Sequence, residues 1–437
     1  MAANRWPTSK DQWGWVLYDT ANSAFATTVL AAVLPIYYAS LVPETGVSLG
    51  FGAWSWQTSA ESLWGYTVAM SAAMVAVVAP VLGAMSDGGW GKKPFLALFC
   101  YLGCLATAGL VLVSTGDYWL ASGLFIVGNV GFSGGNVFYN GILRDLASDD
   151  EIDSLSGVGF AAGYVGGGLL LAVNLAMIQK PQLFGLSSTE WATRVSFVTV
   201  GVWWALWALP IFRWTSERTT VAAVSVGEAI GRAVRQVVRT LRELRNYRDL
   251  FVMLIAFLLY NDGIQTVIVM ASIYGKQALS LSTGDLIGTL MMIQVIGAPG
   301  AVLCGRAAAR WGAKPTLLVT LTLWLGAVIY AYTMTTAAQF WGLGAVIALI
   351  LGGSQAISRS LFASMVPKDR SAEFFGFFSV SGKLSSIFGP LLFALIADLT
   401  GNTRSALLSL TVLFLAGGLV LTRVNVARGR RLVAAGD

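Results

Sequence analysis

Trp90-Gly91-Lys92-Lys93-Pro94 closes one long apolar run and opens the next, and Trp311-Gly312-Ala313-Lys314-Pro315 does the same 221 residues later. In each, basic residues follow a turn glycine. Other pairs echo near that offset. Tyr18-Asp19 matches Tyr260-Asn261-Asp262, and Gly134-Gly135-Asn136 resembles Gly353-Ser354-Gln355. A chain that repeats once in parallel order has two similar halves.

What lies between these marks is apolar. Of 437 residues, 56% are hydrophobic and only 11% charged, against about 25% charged in soluble domains. Lipid must therefore be the solvent for much of the chain. Barrel strands would alternate apolar and polar residues over segments of about ten, whereas these runs are continuous and long. The expected fold is an all-α membrane protein of twelve transmembrane helices in two six-helix pseudo-repeat bundles. The spans, numbered one to twelve, are expected at roughly 13–41, 62–86, 94–114, 118–143, 154–178, 192–213, 249–274, 284–308, 315–335, 338–362, 374–397 and 404–424.

Charge orients these spans. With the N-terminus inside, 23 of the 28 Lys and Arg fall on the cytoplasmic side. Lys180, Arg194, Lys276 and Arg404 fall outside, and Lys383 lies within a span. This asymmetry places both termini in the cytoplasm and accounts for the net charge of +6 without nucleic acid. The connection 214–248 separates an N-terminal half, 1–213, from a C-terminal half, 249–437. In it, Ile230, Val234, Val237, Leu241 and Leu244 recur at helical spacing. Arg232, Arg235, Arg239, Arg242 and Arg245 share another face. A basic amphipathic helix on the inner leaflet, tethering the halves, is expected. Histidine is absent, which removes a Ser-His-Asp triad, a His-ligated metal and a His proton relay. Cys100, Cys104 and Cys304 lack zinc-site spacing and read as inert thiols.

The loop Gly83-Ala84-Met85-Ser86-Asp87-Gly88-Gly89-Trp90-Gly91-Lys92-Lys93 resembles the signature between helices two and three of major facilitator transporters. That resemblance implies that Asp87 caps a helix end and pairs with a neighbouring helix. It makes Asp87, Lys92 and Lys93 gating residues, with Arg144 and Arg359 at other cytoplasmic helix ends. Asp87 is expected to meet polar or basic groups of its own half. Three residues, not two, separate Asp87 from Gly91, and the second copy carries Ala309 where the acid should stand, so a weaker second loop is expected.

A second resemblance covers most of the chain. Tyr18-Asp19-Thr20-Ala21-Asn22-Ser23-Ala24-Phe25, Gly159-Phe160-Ala161-Ala162-Gly163-Tyr164-Val165-Gly166-Gly167 and Tyr260-Asn261-Asp262-Gly263-Ile264-Gln265-Thr266 are its first carriers. Gly352-Gly353-Ser354-Gln355-Ala356-Ile357-Ser358-Arg359-Ser360 and Glu373-Phe374-Phe375-Gly376 are the others. Together they resemble the vacuole-effluxer (autophagy-related) branch of the major facilitators, with Thr20 where the family usually has Trp. The resemblance implies export of small solutes, amino acids being the family's best-known cargo.

The embedded polar residues point to a central cavity on their own account. An ionisable group at mid-bilayer costs roughly 2.5–3.5 kcal/mol on insertion scales. Asp262 lies ~20 Å into helix seven at 1.5 Å per residue; Lys383 is deep in helix eleven, and Asp19 is shallower in helix one. Asp262 and Lys383 are expected to face the interface between the halves, as substrate or proton groups, or else as a structural ion pair. Acids and bases together suit a zwitterion, with its carboxylate near Lys383 and its ammonium near Asp262 or Asp19. Asn22, Asn136, Asn140, Asn261, Gln265, Gln294 and Gln355 offer neutral hydrogen bonds. Tyr18, Tyr139, Tyr164 and Tyr260 offer aromatic walls. Each of these singly also suits helix packing. Asp19 and Asp262 are the candidates for proton coupling.

The glycines from Gly157 to Gly168 leave one face of helix five nearly bare, which suits close backbone packing. Gly131-Phe132-Ser133-Gly134-Gly135 fits a hydrolase pattern but has no histidine to serve it. Ser381-Gly382-Lys383-Leu384 lacks the hydroxyl of a phosphate loop. No enzyme and no cofactor are implied. The reading is a secondary transporter working by alternating access, exporting a small zwitterion, with proton drive as one option. Efflux of lipophilic or cationic compounds is the alternative, and a non-transporting receptor or scaffold is the rival of another class. The partners are a small solute and the bilayer, with the chain as a monomer. The lack of an organelle address suits a prokaryotic inner membrane.

Overall fold

The computed structural model describes residues 6–434, apart from 44, 52–53, 218–225, 243–246, 282 and 386–387. Arg5, Arg218, Leu244 and Arg245 lie outside the described residues, as do the side chains of Leu241 and Lys276. Twelve helical rods follow one another. Helix one is Lys10–Leu41, helix two Ala60–Met85 continued by Ser86–Trp90, helix three Lys92–Leu112 and helix four Tyr118–Leu146. Helices five and six are Ile152–Gln179 and Thr189–Trp214. After the linker helix Val226–Arg242 come helix seven, Arg248–Leu279, and helix eight, Thr283–Trp311. Helix nine is Ala313–Thr333 and helix ten Ala337–Ala363. Helix eleven is described in two pieces, Ser371–Leu384 and Phe388–Thr400, and helix twelve is Thr403–Thr422. A last short helix covers Val426–Ala434.

Among the described residues, eleven of these rods are long and apolar enough to cross a membrane. Helix four is the twelfth, made less apolar by Asn129, Asn136, Asn140 and several glycines. Large apolar side chains such as Ile36, Val77, Leu105, Val295 and Leu399 are fully on the surface, as lipid-facing residues should be.

The repeated pentads build the same joint twice. Gly91 and Gly312 have φ of 80° and 95°, the left-handed region that glycine enters without strain. Lys93 and Lys314, two residues on, then reach the carbonyl ends of helices six and twelve. Lys93 Nζ donates to Thr215 O at 2.6 Å, and Lys314 Nζ to Thr422 O and Val424 O at 2.7 and 2.8 Å. Both cations meet the negative end of a helix dipole, each on the last helix of its own half.

Both ends of the described chain and the linker helix lie on one face. Ser216 Oγ donates to Asp11 Oδ2 at 2.8 Å, and Arg428 Nε to Asp249 Oδ2 at 2.6 Å. Gln236 of the linker helix donates to Glu373 Oε2 at 2.7 Å, and Thr240 bonds the same carboxylate. The linker helix does more than tether: Ala229 and Ala233 pack on Ala84 and Met85 at the end of helix two. Ile230, Val234 and Val238 form an exposed apolar ridge beside the arginines.

Three features depart from the sequence reading. Val47–Phe51 and Trp54–Thr58 pair as an antiparallel hairpin after helix one, where only a loop was expected. Helix one widens into a π-helical stretch at Phe25–Val33, just ahead of Pro35, whose missing N–H interrupts the regular ladder. Helix eleven is interrupted at Ser385. The glycine face of helix five packs as expected. A Cβ on Gly163, Gly166 or Gly167 would strike Ser23, Thr20 or Thr27 of helix one, and Gly157 meets Gly305 of helix eight.

Candidate functional site

On the terminus-bearing face the two halves are locked together, and Arg359 is the bolt. It leaves helix ten and enters the other half, where Nη1 lies 3.2 Å from Asp19 Oδ2. Its Nε donates to Ser156 Oγ and its Nη2 to Ser156 O, both at 2.9 Å. The guanidinium stacks over Trp15 and Phe160, with centroids 4.6 and 4.3 Å away. Tyr139 Oη donates to the same Asp19 oxygen at 2.8 Å. Arg359 and Asp19 are 4% and 8% exposed, so both charges are withdrawn from solvent and depend on each other. The next residue, Ser360, donates its Oγ hydrogen to Asp153 Oδ1 at 2.5 Å, again between halves. Asn140 Oδ1 lies at the edge, 3.5 Å from Arg359 Nη1.

The second lock joins helices two and eleven. Asp87 accepts from the backbone N–H of Glu373 at 2.8 Å and of Ala372 at 3.2 Å. It therefore caps a helix of the other half, which the sequence reading did not foresee, besides facing Lys92 of its own half as expected. Helix eleven begins there, its first N–H groups have no partner within the helix, and an anion is favoured at that end. Lys92, 3.8 Å from Asp87, is bound more closely to Asp145, at 2.6 Å. Glu217 receives the backbone N–H groups of both Lys92 and Lys93, capping helix three. Arg144 pairs with Asp149 at 2.7 Å and donates to Val366 O across the halves. The second loop has no such carboxylate: Ala309 offers none, and Gly305 instead lies against the backbone of Asp153 and Gly157. Asp87→Asn keeps one acceptor oxygen, so exchange should fall several-fold with normal insertion. Unchanged exchange would remove this role.

Asp262 turns away from the other half. Its Oδ2 accepts from Gly389 N at 2.8 Å, at the start of the second piece of helix eleven, and Oδ1 has no partner among the described residues. Asn261 Nδ2 donates to Ser385 Oγ at 2.5 Å and accepts from Gln355 at 2.7 Å. Helix seven thus holds both sides of the interruption with adjacent residues. The expectation that Asp262 faces the interface is corrected, because an uncapped helix start buried in the bundle needs an acceptor more than the cavity does. Asp262→Ala should destabilise the detergent-solubilised protein by about 1–3 kcal/mol and Asp262→Asn by less; equal melting of wild type and alanine variant would refute the cap. Lys383 is half-buried in the last turn of the first piece of helix eleven, with no carboxylate within ion-pair distance among the described residues.

Between the halves, away from the locks, lies a cavity of about 360 Å³. Helices one, five and seven to ten line it, with Leu407 of helix twelve, mostly with aliphatic residues. Thr27, Thr289 and Gln294 are its main polar members, and Tyr164, Tyr274 and Phe340 its aromatic ones. The Gln294 amide oxygen is buried without a partner among the described residues. Access is thus blocked on the terminus-bearing face, with a chamber beyond the block.

The profile of the vacuole effluxer Atg22-like family matches residues 7–434. The chain belongs to this family. The MFS-type transporter YxiO of Bacillus subtilis is 35% identical over 418 residues, which is 95% of each chain. Autophagy-related protein 22 of Saccharomyces cerevisiae is 26% identical over 398 residues, covering 78% of this chain and 74% of that one. Among solved structures, the major facilitator FucP in its outward conformation aligns with a TM-score of 0.69 at 12% identity, over 95% of this chain and 98% of its own. The proton:xylose symporter XylE aligns with 0.68 at 16%, over 98% of both. Such identities speak for the fold, which is that of the major facilitators. The molecule is a multi-pass membrane transporter of this type and not an enzyme.

In this effluxer-family transporter the expected site residues divide into separate groups. Asp19, Asn140 and Arg359 meet at the first lock; Asp87, Lys92, Lys93 and Arg144 gather at the second. Asn261, Asp262 and Gln355 serve the helix seven–eleven contact. Asn22 donates to Asn136 Oδ1 at 2.7 Å inside the first half. Tyr18 is fully buried in the first half, 5.0 Å from the Tyr139 ring. Tyr260 shares a hydrogen with Ser358 at 2.6 Å. Gln265 is half-buried on helix seven. Trp15, Ser156, Asp153 and Glu373 escaped the sequence reading as functional residues. Ser156 and Trp15 carry no mark in a lone sequence, whereas Glu373 opened a quoted family string.

Proposed function

We propose that this chain exports small zwitterions, amino acids with apolar side chains above all, by alternating access across a cell membrane. One observation carries the reading: a buried pair of opposite charges, Asp19 and Arg359, closes the way to an apolar chamber between the halves. The chamber suits an aliphatic or aromatic side chain, and the charges suit the two ends of an amino acid. We take the terminus-bearing face as the cytoplasmic one, a reading that the concentration of Lys and Arg there supports. The closed locks on that face then correspond to the outward-facing stage. The inner membrane of a prokaryote is the proposed setting, with the chain acting as a monomer. Proton drive would act through Asp19, buried at the first lock, or through Asp262, buried at the helix seven–eleven contact.

The test is counterflow in proteoliposomes with a broad metabolite panel. Accelerated exchange of neutral amino acids is the expected result. Acceleration by no amino acid would sink the proposal. A second reading, efflux of lipophilic cations, draws on the same apolar chamber wall. Exchange of tetraphenylphosphonium without amino-acid exchange would favour it.

A further inference from the structure

We infer that Asp19 and Arg359 are themselves the recognition pair for the transported zwitterion, and that their re-pairing expels it. This rests on the zwitterion reading above.

Among the described residues, the polar contacts of the Arg359 side chain come from the other half: Asp19, Asn140 and both oxygens of Ser156. Opening this face strips them all away at once. Among the described residues, its own half buries no spare anion to replace them. Glu373 is taken by Arg370, Asp249 by Arg428, and Asp262 by the Gly389 amide. Asp19 is in the same position, since the buried cations described in its half are taken, Arg144 by Asp149 and Lys92 by Asp145. Separation therefore leaves two unpaired charges facing each other across the opened cleft, a costly arrangement where water is scarce. A zwitterion cancels both, its carboxylate on Arg359 and its ammonium on Asp19. A lone cation or anion cancels one.

The route onward is built into the same helices. Tyr164, Thr27 and Leu351 line the chamber. Thr27 and Leu351 lie eight residues from Asp19 and Arg359, or ~12 Å along each helix. Tyr164 stands one turn beyond Phe160, on which Arg359 stacks. As the halves close, the direct pair re-forms at 3.2 Å and leaves no room between the charges. The amino acid is displaced into the apolar chamber. Closure and release become one event, which suits an exporter.

Three isosteric probes test this in proteoliposome counterflow: leucine, 3-methylbutylamine and 4-methylpentanoate. Wild-type protein is expected to exchange leucine at least about tenfold faster than either analogue, one decade being a small share of a buried charge's pairing. Asp19→Asn should lose leucine exchange and gain 4-methylpentanoate, which supplies the missing anion. Arg359→Gln should lose leucine and gain 3-methylbutylamine. Arg359→Lys, which keeps the charge, should retain the wild-type order at a lower rate and so exclude a folding artefact. Leucine exchange by wild type with parallel loss of all three probes in both neutral variants would make the pair a mere lock and overturn this assignment alone. Wild-type exchange of tetraphenylphosphonium without leucine would overturn the zwitterion reading and this assignment with it.

Discussion

Gly83→Val is expected to lower exchange about a hundredfold while leaving the amount of folded, inserted protein unchanged. A Cβ at Gly83 would stand 2.3 Å from Ala372 O and 2.8 Å from Glu373 N, both backbone atoms of helix eleven in the other half. Backbone cannot rotate aside as a side chain can. The helices must part by about 1 Å to reach ordinary contact at 3.5 Å or so. That movement takes Asp87 beyond hydrogen-bond reach of Ala372 N and Glu373 N, now at 3.2 and 2.8 Å. Overpacking costs about 1–3 kcal/mol, and 3 kcal/mol is roughly two decades in the gate equilibrium. Gly376, which would strike Pro80 Cα at 2.6 Å, should behave alike, and Gly88, with nothing within 4 Å, is the neutral control. A cysteine at Ser371, buried and bonded to Gly141 O in the closed gate, reports the state. It should react with an impermeant thiol reagent in Gly83→Val and stay protected in Gly88→Ala. Protection in both would show that the halves still close.

Arg359→Ala should open the same gate by a different route. It leaves Asp19 buried with only the Tyr139 hydroxyl, and breaking a buried pair from one side costs about 3–5 kcal/mol. Removing both charges leaves no orphan, so Asp19→Asn combined with Arg359→Ala should restore much of the lost protection at Ser371→Cys. A double variant whose effect is the sum of the two singles would mean that the residues act independently, and the lock would have to be sought in Ser156 and Ser360 instead.

The segments on the terminus-bearing face illustrate how far a lone sequence reaches. The positive φ of Gly91 and Gly312 and the reach of Lys93 and Lys314 to the ends of helices six and twelve follow a pattern repeated in the chain. The bare face of helix five was legible because a run of glycines has few other uses in lipid. The interruption of helix eleven carried a weaker mark. Ser385 lies between Lys383 and Gly389-Pro390, and nothing in that stretch says that Asn261 and Asp262 bind on either side of it. Asp262 stood out as an expensive buried acid, and a helix start in its own half meets part of that expense.

The sequence by itself determined what each segment needs: lipid around twelve apolar rods, a basic face on one side, a glycine turn at each repeat, and partners for every embedded charge. Those requirements are local, because the solvent acts on each stretch through its own composition. Which partner satisfies which charge was decided only by tertiary structure. Asp19 and Arg359 stand 340 residues apart, and Asp87 and Glu373 286 apart. Their meeting depends on which helix faces touch, and that depends on glycine and small-residue fit between the two halves. Charge made these residues conspicuous, and shape chose their neighbours.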